Sequence, residues 1–274
     1  MPKPRPAART VEPRVWALLG TAAATGLTVA MAAPAPQAVA SGLAPAAQNI
    51  VVAGEVGESG EGAVATEEAE VAFLTRLGFF EATHHIVAGL YASGHADLAR
   101  EHLELSHHAS YVDIEGDLAT FHAEGFEPLA LAFAAAVTGK ADKSEVAAKA
   151  QAVLEAIGRV HETATLSPRD EMKALSLIAA TAAEDFDAGV ADGRVEVGQE
   201  YRDSWGFLTA ANAEAARLAA ARDAATAKAG ATAQQVLTEA LTQFPALVSE
   251  TAGTETDLIH SAAAWIDFAV LRMK

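Results

Sequence analysis

Between residues 67 and 93 the apolar side chains keep a helical period. At 100° per residue, Phe73, Leu77, Phe80, His84, Val87 and Tyr91 share one stripe. A helix patterned this way has to bury that stripe against other helices. The same period returns at Val146, Ala150, Val153, Ile157 and Val160, and again at Leu258, Ala262, Trp265 and Ala269. No stretch alternates apolar and polar residues for long enough to read as a strand. Hydrophobic residues make up 51% of the chain but aromatics only 6%, so alanine carries much of the apolar content. Alanine orders into a helix without losing side-chain entropy and lets helices approach closely. The expectation is an all-α protein of helical bundles.

Punctuation divides the chain further. Residues 1–40 read as an export signal: Lys3, Arg5, Arg9 and Arg14 precede an apolar run at 15–33, and small residues follow in QAVASG at 37–42. The alternative is an uncleaved anchor, since the run approaches ~18 residues; its Ala, Gly and Thr content favours cleavage. Residues 41–66 lack a helical period and read as a flexible tether. A first bundle is expected over 67–165 and a second over 166–274. Within them helices are expected at 67–93, 96–121, 129–137 and about 146–160. Ser167-Pro168-Arg169-Asp170, a cap followed by proline and an acid, opens a fifth helix to about 191. A sixth is expected at 200–228 and a seventh at 233–250 kinked by Pro245. A last helix follows a capping box at 254–257.

Charge and residue types limit the chemistry. With 19 basic and 36 acidic residues the net charge is −17, and losing residues 1–40 would leave 15 against 35. A chain that acidic lacks the basic clusters needed to hold nucleic acid, and suits cations or basic partners. There is no cysteine, so a metal would be held by His, carboxylate, Tyr or Met. No nucleophile elbow, P-loop or dinucleotide fingerprint is present, no catalytic residue is assigned, and no organic cofactor is indicated.

Six of the nine histidines fall within 78–115. Two Glu-x-x-His pairs occur there, Glu81/His84 and Glu104/His107, a spacing that sets both side chains on adjacent turns, as in carboxylate-bridged metal bundles. His84 sits in the middle of its apolar stripe, whereas His107 points away from the stripe of its helix. The expected metal site therefore combines His84 and His85 with Glu81 on one helix and His102 on the next, with Glu101 orienting a ring. Imidazole and carboxylate together suit iron, zinc or copper. Equally, an inward histidine can be a core residue that donates to a backbone carbonyl. His95, His107, His122, His161 and His260 are read as non-ligands, and Glu200 and Tyr201 as packing and capping residues.

Residues 88–102 (AGLYASGHADLAREH) and 188–201 (AGVADGRVEVGQEY) share Ala-Gly, a second glycine, and a closing Glu-His or Glu-Tyr. This suggests two related hairpins, with Asp185 and Tyr201 near the counterpart of the His102 site. The second copy lies in EDFDAGVADGRVEVGQEYRDSWGF (184–207), with Phe186, Ala188-Gly189-Val190, Asp192-Gly193, Val195, Glu200-Tyr201 and Asp203. That segment resembles helical periplasmic domains associated with bacterial high-affinity iron permeases, although Gly189 departs from the pattern. The plan of duplicated exported bundles is also similar to imelysin-like proteins, but the Gly-x-His-x-x-Glu motif of imelysins is absent, GRVHE at 158–162 having the wrong spacing. The resemblance implies an exported or periplasmic protein in iron or other transition-metal uptake or handling. Its partners would be a metal ion and a membrane permease or other envelope protein, with membrane contact only through an uncleaved export signal. The alternative is a metal-free acidic module that docks a partner protein.

Overall fold

The structure, a computed structural model, describes residues 66–273; the expected export signal, and the tether up to residue 65, lie outside the described residues. Nearly all regular structure is helical: α1 (Thr66–Ser93), α2 (Ala96–Leu105), α3 (Val112–Thr120), α4 (Glu127–Thr138), α5 (Lys143–Thr163), α6 (Pro168–Gly189), α7 (Gly198–Ala219), α8 (Ala224–Leu241) and α9 (Asp257–Val270). Between α6 and α7 a two-residue antiparallel hairpin pairs β1 (Val190–Ala191) with β2 (Arg194–Val195). The all-α expectation holds.

Helices α6 to α9 form a four-helix bundle in which α6 packs on α7 and α9, and α8 packs on the same two. Its core is built from Met172, Leu175, Ile178, Phe186, Phe207, Leu208, Leu237, Ile259 and Ile266 amid many alanines. Alanine is what permits this: where a face carries methyl groups, helix axes draw close. Helix α1 lies across α6 and α7 on one side, and α2 and α5 pack against its other side. A second core gathers there around Phe73, Leu77, Phe80, Leu90, Phe133, Val153 and Ile157.

The stripe foreseen on α1 is buried throughout. At Gly206 of α7 the backbone of α1 comes so near that an added Cβ would sit 2.4 Å from Ile86 Cδ1 and 3.2 Å from the Ala82 carbonyl oxygen. Glu70 adds a polar tie, accepting from the backbone N–H of Ser167 at the start of α6. Three caps set helix starts: Asp142 Oδ1 accepts from Glu145 N at 2.9 Å, Ser167 Oγ from Asp170 N at 3.4 Å, and Asp223 Oδ1 from Thr226 N at 2.8 Å.

Several boundaries differ from the periodicity reading. The helix expected over 96–121 is two, because Ser106 turns extended and its Oγ accepts from His108 N at 3.2 Å, giving the backbone a local partner in place of the helical ladder. Leu105 and Val112 are exposed, and Ile114 and Leu118 are buried. The long helix expected at 200–228 stops at α7, since Asp223 caps a new helix that Gly230 lets lie against Leu218 and Ala219. Pro245 follows α8 and kinks nothing. Thr254 does not cap α9; the N–H of Glu255 is taken by Gln243 Oε1 at 3.0 Å, and Trp265 points outward while Ile259 and Ile266 point in.

Both copies of the proposed repeat turn on a glycine in the left-handed region, Gly94 at φ +97° and Gly193 at φ +72°. The first joins two helices directly and the second closes the β1–β2 hairpin.

Replacing Gly206 by alanine is expected to overpack the α1–α7 contact and lower stability by about 1–3 kcal/mol. Urea denaturation should show a reduced midpoint with the slope unchanged, and Ile86→Val in the same chain should restore part of the loss.

Candidate metal centre

Two groups of three potential ligands bring their donor atoms within 4.8 Å of one another among the described residues: His161, Glu171 and Glu214, and Asp185, Glu200 and Asp203. They differ in what neutralises them.

The first group is an ion network. His161, near the end of α5, places Nδ1 3.3 Å from Glu171 Oε1 and 3.5 Å from Glu214 Oε1. Arg217 donates through Nη2 to both carboxylates and through Nε to Glu214 Oε2 at 2.8 Å. Burial opposes a charge on His161, yet the charge of Glu214 and the hydrogen bond to Glu171 outweigh it and raise its pKa. Arg217 and His161 thus face the two carboxylates, and burial raises the Glu214 pKa in turn. The adjoining cavity, also lined by Glu81, measures about 10 Å³, room for about one water. Balanced and closed, this quartet is read as structural.

The second group gathers three acidic side chains with less counter-charge. Asp185 lies one turn from the end of α6, and Glu200 and Asp203 lie in the first two turns of α7. The hairpin between them reverses the chain so tightly that a Cβ on Gly189 would meet the backbone N of Tyr201 at 2.6 Å. Tyr201 in turn donates its hydroxyl to the Ala246 carbonyl at 2.9 Å, and the N–H groups of Val195 and Ala252 pair with the carbonyls of Glu250 and Gly193, clamping the hairpin to the segment before α9. Burial, then the charges of Glu200, Asp203 and Glu184, push the Asp185 carboxyl up to about 8. Asp203 is pushed up to about 7 by burial and by Glu200, against the opposing pull of Arg202.

Helix α2 delivers His102 to this cluster. Its Nε2 stands 3.4 Å from Asp203 Oδ1, and its side chain is wholly buried. Neither ring nitrogen has a hydrogen-bond partner. Burial, with Arg202 and His108 nearby, lowers its pKa to about 4, so the ring is neutral and one nitrogen offers a lone pair. Leaving a buried polar group unpartnered costs about 1–3 kcal/mol. Three carboxylates and one neutral imidazole, drawn from α2, α6 and α7, are a donor set that a divalent or trivalent cation would satisfy.

The remaining residues expected at a metal site lie elsewhere. His84 donates its Nδ1–H to the Phe80 carbonyl at 2.8 Å, and its ring lies between Phe80 and Phe133, with centroids at 4.4 and 4.9 Å. His85 Nε2 reaches back 3.3 Å to Glu81 Oε1 on its own helix. Glu101 is exposed and its charge acts on Arg202. Of the five, His102 alone faces one of the two clusters through a contact within 4 Å. Glu200 and Asp203 stand one turn apart at the start of a helix, a spacing open to sequence reasoning. That Asp185 would meet them required the hairpin.

Stability is expected to fall as pH rises through the range where His161 loses its proton. Its folded pKa lies above the unfolded value, so its contribution is complete below pH ~6.5 and disappears as pH passes the folded pKa. Melting temperatures across pH 5–9 should show this decline, and His161→Gln should flatten part of it.

Residues 161–267 match the model of the iron permease-associated 4-helix bundle domain. The match runs from His161 through most of α9, so it takes in Asp185, Glu200 and Asp203 but neither α1 nor His102. No curated protein and no solved structure matches the chain.

Proposed function

We propose that this protein works in iron uptake as a cation-binding partner of a membrane permease, taking up iron as cargo at Asp185, Glu200, Asp203 and His102. The observation that carries this reading is His102: a buried, neutral imidazole with both nitrogens unpartnered, beside three carboxylates that lack sufficient counter-charge. Oxygen donors with one imidazole suit ferrous or ferric iron, and without cysteine the chain offers no thiolate to favour softer ions. The match over residues 161–267 to an iron permease-associated domain supports a permease partner and a cell-envelope setting. No helix among the described residues is long and apolar enough to cross a membrane.

In this reading the four ligands keep the roles their elements give them. The hairpin fixes Asp185 against Glu200 and Asp203, while α2 closes over them with His102. A bound cation would join α2 to the α6–α7 hairpin, adding to the 3.4 Å approach of His102 to Asp203.

Anaerobic thermal melts and titration calorimetry with ferrous iron test this. Iron at a hundredfold excess over its Kd should stabilise the chain by about 2.7 kcal/mol. His102→Ala and Asp203→Asn should each weaken binding about ten-fold or more, and His84→Ala should leave it unchanged. Asp185→Asn/Asp203→Asn should also make the metal-free protein more stable, because burial and neighbouring charges disfavour the ionised form of both carboxyls and an amide carries no charge to bury. An absent iron effect, or one that survives loss of His102 and Asp203, would overturn the assignment.

A further inference from the structure

Helix α9 buries Ile259, Ala262, Ile266 and Ala269, yet its other face is also apolar. Trp265 is 54% exposed, Phe268 56% and Leu271 73%, and the two rings lie 6.1 Å apart. Scattered exposed apolar residues are ordinary, but Trp265 and Phe268 neighbour each other on one face of α9 and exposed Leu271 follows at its C-terminal end. Beside it a groove of about 200 Å³ runs between α8 and α9. Ala229, Ala269 and Met273 contribute its apolar lining, and Lys228 and Arg272 its charge; no carboxylate lines it. In a chain with net charge −17, a cationic groove next to exposed aromatics is a local reversal of sign.

We propose that this face of α9, with the groove it shares with α8, rests on an anionic phospholipid surface. Tryptophan and phenylalanine suit the boundary between headgroups and acyl chains, where an amphipathic ring keeps one edge wet. Lys228 and Arg272 match lipid phosphates, whereas the acidic remainder of the protein is repelled by the same surface. The contact therefore has one orientation. A second copy would set each groove's Lys228 and Arg272 beside those of its mate, so the charge favours lipid over self-association.

The docking face and the cation centre lie at opposite ends of the bundle. The chain passes from α7 to α8 in a short turn, so the start of α8, with Lys228, lies beside the end of α7. Glu200 and Asp203 stand at the other end of α7. Helix α7 spans 22 residues, about 33 Å. Substitutions in the groove should leave iron binding untouched, which separates this proposal from the preceding one.

The test uses the full chain carrying Trp16→Phe and Trp205→Phe, which leaves Trp265 as the sole tryptophan. Its emission and its quenching by brominated lipid report contact at this face whatever else in the chain meets the vesicle. With vesicles containing phosphatidylglycerol, the emission should shift to the blue and be quenched. With phosphatidylcholine alone both effects should be weak. Lys228→Glu/Arg272→Glu should weaken the response roughly twenty-fold or more, at about five-fold for each cation lost. Trp265 emission that ignores anionic vesicles would overturn the proposal. So would a response equal on both lipids, or sedimentation showing a dimer that Leu271→Glu disperses.

Discussion

The close approach of α1 to α7 at Gly206 governs the rest of the architecture. Because no side chain intervenes there, α1 can lie against the α6–α9 bundle with one face while burying Phe73, Leu77 and Phe80 on the other. The helices that carry His102 and His161 are thereby brought to α6 and α7. Each polar cluster takes its imidazole from the α1 side and its carboxylates from the bundle, so that apposition is what brings His102 and His161 to their acids.

The two clusters show how charge balance separates structure from chemistry. Around Glu171 and Glu214 an arginine and a histidine supply counter-charge, and the cavity closes to the size of a water. Burial and mutual repulsion act on Asp185 and Asp203, and Arg202, whose own Nε has no partner, opposes them at Asp203. Similar residues are satisfied in one place and frustrated in the other. Frustrated buried polar groups in a native protein mark function more often than error. The exposed stripe of α9 is the apolar counterpart, a surface that folding alone leaves uncovered.

Local signals carried far along this chain, within limits. The α1 stripe, the Ser167 cap, the Pro168 start and the segment at 184–207 were legible because each depends on neighbours within a few residues. Periodicity ran α2 into α3, and α7 into α8, because an apolar period does not register Ser106 and Asp223 side chains competing for backbone N–H groups. It also placed Trp265 inward, since a stripe drawn by hydrophobicity cannot tell a core face from an uncovered one. Among histidines, spacing favoured His84 and His102 equally. Their surroundings set them apart: an i−4 carbonyl accepts from His84, whereas His102 has no hydrogen-bond partner and stands 3.4 Å from a distant aspartate.

The sequence by itself determined that this chain would be helical, acidic, free of thiolate chemistry and built on alanine-lined interfaces. Those properties follow from residue type and short-range period, which act before any fold exists. Tertiary structure alone decided which acids converge. Asp185 reaches Glu200 and Asp203 through a hairpin turn, and His102 reaches them from a helix about a hundred residues away, positioned by α1. Convergence of that kind depends on how packed surfaces fit in three dimensions, and no spacing along the chain encodes it.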